Sequence, residues 1–121
     1  MKPLSGSLST LFPFNTSQLK ADELNRLLNE GREKLIEKNY DEALKKFDEV
    51  IKKNPDSWEA YHNRGLSKQE LKDFEGSIID YSKAIELNPD SWTAYHNRGL
   101  SKRELKDFEG SIIDYSKAIE L

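Results

Sequence analysis

From about Ser17 onward, apolar side chains return every three or four residues, the interval at which a helix presents one face. Leu24, Leu27, Leu28, Gly31 and Leu35 make the first such stripe. A second begins near Asn39, whose side chain can accept the amide hydrogens left free at a helix start, and runs through Ala43, Phe47 and Val50. Asn54-Pro55-Asp56 ends it, because proline has no amide hydrogen with which to continue the turn; Asp56 or Ser57 can then cap the next helix. The punctuation recurs. A helix from Ser57 to Leu71 is followed by a cap at Asp73, a helix from Phe74 to Leu87, a break at Asn88-Pro89-Asp90 and a third pair from Ser91 to Leu121. Six helices of roughly 12 to 20 residues, joined by very short turns, must lie as antiparallel pairs. The pattern predicts an all-α chain.

The pattern is also periodic. Trp58 to Leu87 returns 34 residues later as Trp92 to Leu121, altered only at Glu59/Thr93 and Gln69/Arg103. Such a period predicts stacked hairpins, each burying its apolar face against its neighbours. Gly31, Gly65 and Gly99 fall in phase, as do Tyr40, Phe74 and Phe108, then Phe47, Tyr81 and Tyr115. Glycine inside a helix costs roughly 1 kcal/mol against alanine, so its recurrence predicts a helix crossing too close for a side chain. Ala43, Ser77 and Ser111 supply a small opposing surface, and the aromatics fill the wedge between paired helices. Gly76 and Gly110, near helix starts, read as tolerated and slightly weakening.

Composition narrows the function classes. With 34% charged and 36% hydrophobic residues in 121, there is modest material for one round core but enough for a stack. A net charge of −3 argues against a nucleic-acid binder, which concentrates Lys and Arg opposite phosphates. Zero Cys excludes disulfides and thiolate metal sites and fits a reducing compartment. No apolar run approaches the ~20 residues of a membrane helix, and the start around Met1-Lys2-Pro3-Leu4 makes no convincing signal sequence, so a cytoplasmic location is the expectation. Residues 1–20 read as an N-terminal tail, in which Leu11-Phe12-Pro13-Phe14 is either plain leader or an apolar clip. There is no Gly-rich phosphate loop and no nucleophile elbow. A non-enzymatic protein without a cofactor is expected.

With glycine in the first helix of each pair, a small residue then an aromatic in the second, and a closing proline, residues from about Leu24 to Leu121 resemble the tetratricopeptide repeat. The resemblance implies an α-solenoid, a right-handed superhelix of three helix-turn-helix hairpins at about 24–57, 58–91 and 92–121, within a domain spanning 21–121. It also implies that the first helices line a concave groove for a peptide or protein segment. Two positions depart from the family. Glu30, Arg64 and Arg98 stand where Leu is usual, and Lys34, Lys68 and Lys102 where Tyr is. Their long stems are expected to cover apolar surface with the heads in water, leaving a slightly looser core.

Helical spacing then selects the groove: Asn25, Leu28, Asn29 and Arg32 in the first repeat, Glu59, His62, Asn63, Leu66 and Gln69 in the second, Thr93, His96, Asn97, Leu100 and Arg103 in the third. Both differences between the twin repeats fall on this face and each adds one positive unit, so acidic ligand groups are expected nearer Arg103. Some members of the family hold the acidic tails of heat-shock chaperones through slots that here carry Leu28, Arg32, Asn63, Thr93 and Asn97. Only Asn63 matches, and a bound carboxylate needs converging donors, so another kind of ligand is expected, with an apolar side chain near Leu28. His62 and His96 sit on helices ~10 Å apart, too far to share a zinc ion at ~2.1 Å, and read as groove imidazoles that make binding pH-sensitive. The alternative to a binding scaffold is a self-assembling module, a homo-oligomer joined through its uncapped third repeat or its N-terminal segment.

Overall fold

The computed structural model describes residues 16–121; the Leu11 to Phe14 segment lies outside them. Six helices follow in sequence among the described residues: α1 (Thr16–Ile36), α2 (Tyr40–Lys53), α3 (Trp58–Glu70), α4 (Phe74–Leu87), α5 (Trp92–Glu104) and α6 (Phe108–Glu120). The starts are set by side chains that accept the free amide hydrogens of the first turn. Asn39 accepts from Glu42, Ser57 from Ala60, Asp73 from Gly76, Ser91 from Ala94 and Asp107 from Gly110. At Gly76 a side chain would crowd the capping carboxylate of Asp73, yet Glu42 holds the equivalent place beneath the Asn39 cap, so the cap does not require a glycine. Residues 16–20, read from sequence as tail, are the first turns of α1.

Each hairpin closes through Lys38, Lys72 or Lys106, all in the left-handed region with φ of 62°, 65° and 66°. That conformation bends the chain back within three residues; Lys72 N–H then reaches the Gln69 carbonyl and Asp73 N–H the Lys68 carbonyl, at 2.9 and 2.8 Å. The paired helices meet at the phased glycines. A Cβ on Gly31 would stand 2.5 Å from Phe47 Cε1, one on Gly65 2.8 Å from Tyr81 Cε1, and one on Gly99 2.9 Å from Tyr115 Cδ1. The hairpins pack in order, and Leu27, Leu28, Ala43, Phe47, Val50 and Ala60 form a core shared by the first two. First helices of successive hairpins touch, α1 with α3 and α3 with α5, whereas the second helices do not touch one another. The stack therefore bends toward its first-helix side.

Four of the five cationic departures from the family pattern, Arg64, Lys68, Arg98 and Lys102, do not send their heads to water, whereas Lys34 pairs with Glu37 at the surface. Arg64 donates from Nε and Nη2 to both carboxylate oxygens of Asp80, at 2.9 and 2.8 Å, and from Nη1 to Asp48 on α2 at 2.9 Å. Lys68 Nζ lies 3.0 Å from Asp80, which is only 1% exposed. Arg98, Lys102 and Asp114 repeat the arrangement, with Ser82 of α4 replacing Asp48. The first hairpin carries it with the charges exchanged, Glu30 on α1 pairing with Lys46 on α2 at 3.1 Å. The expected looser core is thus replaced by a charged clamp in which each arginine grips its own hairpin and the one before it. Burial pushes the Asp114 carboxyl up, but hydrogen bonds from Arg98 and Lys102 more than offset it and hold it below the ordinary carboxylate value.

Breaking a buried, paired charge leaves its partners uncompensated, so Asp80→Ala should cost about 3 kcal/mol in urea unfolding. Asp48→Ala, at the exposed end of the same arginine, should cost less than about 1 kcal/mol. Similar losses from the two changes would show that the clamp contributes no more than a surface ion pair.

Candidate functional site

The first-helix side presents a row of hollows. Between α1 and α3, Leu24, Asn25, Leu28, Val50, Asn54 and Glu59 line one of about 220 Å3. At the other end of the same pair, Leu35, Ile36, Tyr40, Leu66 and Glu70 line a second. Gln69, Glu70, Phe74, Leu100, Arg103 and Glu104 line a third between α3 and α5. The structure thus brings Asn25, Leu28, Glu59, Leu66, Gln69, Leu100 and Arg103 to cavities on this side. Asn29 and Arg32 lie exposed on α1, where Arg32 Nη1 donates to Asn29 Oδ1 at 3.2 Å. Thr93 Oγ1 sits 3.2 Å from the capping Ser91 Oγ.

Two residues expected to be open are not. Leu28 is 7% exposed and belongs to the core cluster, touching the first hollow only as part of its wall, because α3 lies across α1 at this point. Asn63 is 8% exposed on α3, which packs between the first and third hairpins. Neighbouring hairpins thus cover part of the face that helical period selects.

His62 and His96, equivalent in sequence, differ in setting. The His62 ring packs on Tyr81 with centroids 5.7 Å apart, and its Nε2 lies 3.2 Å from Asn97 Nδ2 on the next hairpin. With the Asn97 amide donating, Nε2 must accept, which assigns the neutral Nδ1–H tautomer. Burial, and next the charge of Arg32, push the His62 pKa down. His96 packs on Tyr115 at 5.5 Å and is exposed, since no further hairpin covers it among the described residues. No group of three or more His, Cys, Asp or Glu side chains converges to hold a metal among the described residues.

Gln69 has a task that sequence reasoning missed. Its Oε1 accepts from the Tyr81 hydroxyl at 2.6 Å and lies 3.4 Å from Ser101 Oγ, which is also 2.7 Å from Ser77 Oγ. Gln69 therefore joins the second hairpin to the third while flanking the trough. Burial, then the charges of Glu70 and Asp80, hold the Tyr81 phenol above its ordinary pKa, so it remains a donor. Arg103, in the equivalent place, has no acceptor to offer, and the Tyr115 hydroxyl is buried without a partner. The Tyr81 ring lies opposite Gly65, and its hydroxyl reaches a turn further along α3 to position 69, so a Gln-to-Arg change there alters a tyrosine's partner.

Helical hairpins of constant length, closed on a glycine and stacked with their first helices along a trough, define a class of repeat protein. The chain belongs to the tetratricopeptide repeat family, whose sequence models match residues 21–57, 58–91 and 93–121. No curated protein matches the chain by sequence. Among solved structures it is similar to the second TPR of Spaghetti (RPAP3) bound to an HSP90 peptide, at 18% identity and a TM-score of 0.83 over 88% of this chain and 99% of that one. The Arabidopsis OM64 TPR domain is 24% identical, with a TM-score of 0.80 over 83% of each chain. The TPR2B domain of yeast Sti1, in complex with an Hsp70 peptide, is 28% identical, with a TM-score of 0.75 over 83% of this chain and 78% of that one. No helix among the described residues is long and apolar enough to cross a membrane.

A histidine held neutral in the folded chain resists protonation, so its contribution to stability is present above pH ~6.5 and lost as pH falls through the depressed pKa. The urea midpoint should drop between pH 7.5 and 5, and His62→Gln should flatten that part of the profile. An unaltered profile in the variant would mean that the His62–Asn97 contact does not sense pH.

Proposed function

We propose that the chain is a scaffold that binds an extended or helical segment of another protein along its first-helix side. The observation carrying this reading is the row of hollows between α1, α3 and α5, in which Leu66 and Leu100 alternate with Glu59, Glu70, Arg103 and Glu104. Concave sites with a few polar groups around apolar patches suit side-chain recognition. The ligand that fits places apolar side chains at the leucines, a cation toward Glu59 or Glu70 and an acidic group near Arg103. Chaperone-derived peptides occupy the structures of RPAP3 and Sti1 to which this chain is similar. The carboxylate-holding slots differ here: Leu28 is walled into the core, Thr93 faces its own helix cap, and Asn97 is engaged by His62. An internal segment with alternating apolar and charged residues suits these slots better than an acidic tail. Catalysis and cofactor binding form no part of this reading.

Peptides selected from a random library on the folded chain supply the test. Leu66→Gln and Leu100→Gln, on partly exposed positions, should each weaken a selected peptide by about tenfold while helicity by circular dichroism stays unchanged. Affinity that survives both changes would place the binding surface elsewhere.

A further inference from the structure

The wedge between α5 and α6 is the third copy of a surface whose first two copies are filled. α3 lies on the first hairpin with Ala60 wholly buried, and α5 lies on the second with Ala94 wholly buried, Asn97 against His62 and Ser101 against Gln69 and Ser77. On the third copy, Trp92, His96, Leu100, Arg103, Tyr115, Ala118 and Ile119 line a hollow of about 440 Å3. Ile119 there is 85% exposed, while its counterpart Ile85 is half-buried.

The two filled copies state what a helix must carry to lie in this wedge: a small residue, an asparagine three positions on, and a hydrogen-bonding group four beyond that. Ala60, Asn63 and Ser67 meet this on α3, and Ala94, Asn97 and Ser101 on α5. One more helix of the chain shares the phase. On α1 the same positions hold Arg26, Asn29 and Glu33, all exposed. Asn29 can offer His96 the amide that Asn97 offers His62. Glu33 reaches further than serine, and its carboxylate supplies an acceptor to Arg103, which stands where Gln69 meets Ser101.

We propose that α1 of a second copy of this chain docks in the α5–α6 wedge, head to tail, through Asn29 on His96 and Glu33 on Arg103. Arg26 is the misfit. It stands where the filled copies bury alanine, is paired with Glu30 at 2.7 Å in the single chain, and must swing aside on docking. Association is therefore weak and dependent on concentration. The two surfaces differ, so the contact does not close on itself and generates an open series instead of a two-fold dimer. This goes beyond peptide binding: it leaves the hollows between α1 and α3 free and engages Leu100 and Arg103, which also line the hollow between α3 and α5.

Sedimentation equilibrium of the whole chain decides the matter. The average mass should rise with concentration without levelling at a dimer, and Glu33→Arg or Arg103→Glu should each weaken association by at least about tenfold. An equimolar mixture of those two variants should regain it, since each supplies the charge the other has lost. Arg26→Ala should strengthen association by about tenfold or more, because it restores the alanine of the filled copies. All three residues are exposed, and helicity verifies that each variant folds. A plateau at dimer mass, charge reversals without effect, a mixture that stays dissociated, or Arg26→Ala remaining monomeric would each overturn the proposal.

Discussion

In every hairpin a glycine on the first helix lies against an aromatic ring on the second, leaving no room for a side chain, Gly31 at Phe47, Gly65 at Tyr81 and Gly99 at Tyr115. A methyl group at any of these positions would have to displace the ring, and at Tyr81 that would also disturb the next hairpin, since Tyr81 holds Gln69 and Gln69 meets Ser101. The constant step of the stack follows from this contact being the same three times. Because paired helices stand at one fixed separation, each hairpin offers its successor the same wedge, and only side chains of matching size and hydrogen-bonding capacity can lie in it.

The charged clamp adds register to that separation. An arginine bidentate to a buried aspartate fixes the rotation of one helix against its partner, and the remaining guanidinium nitrogen reaches back to Asp48 or Ser82 on the preceding hairpin. Buried charges of this kind are poor sources of net stability and good sources of specificity, because a slip by one residue strands them. The exchange of sign at Glu30 and Lys46 preserves the link in the first hairpin, where both side chains are more exposed and the requirement is weaker.

Most of the fold was legible in the chain. The 34-residue period, the Asn-Pro breaks and the caps at Asn39, Ser57 and Asp73 set the helices, and phased glycines located the crossings. What escaped lay between hairpins. Helical period tells which side of a helix a residue occupies but not how far the neighbour extends over that side, so Leu28 and Asn63 were placed in the open. Lys and Arg at Leu and Tyr slots read as snorkelling stems because their aspartate partners, sixteen residues on from Arg64 and Arg98 and twelve from Lys68 and Lys102, become neighbours only once the hairpin closes. His62 and His96 read as a pair of equals, yet position in the stack makes one a half-buried contact and the other an exposed one.

A trough along the first helices exists only because the hairpins are held at constant step, and it is this trough, not a reactive group, on which the account of function rests. The most direct test is to follow the backbone amide resonances of the folded chain while a library-selected peptide is added. The account predicts that the largest shifts cluster at Glu59, Leu66, Gln69, Leu100 and Arg103. Shifts concentrated instead on the outer side of α4 and α6, around Ile79 and Ile113, would contradict it.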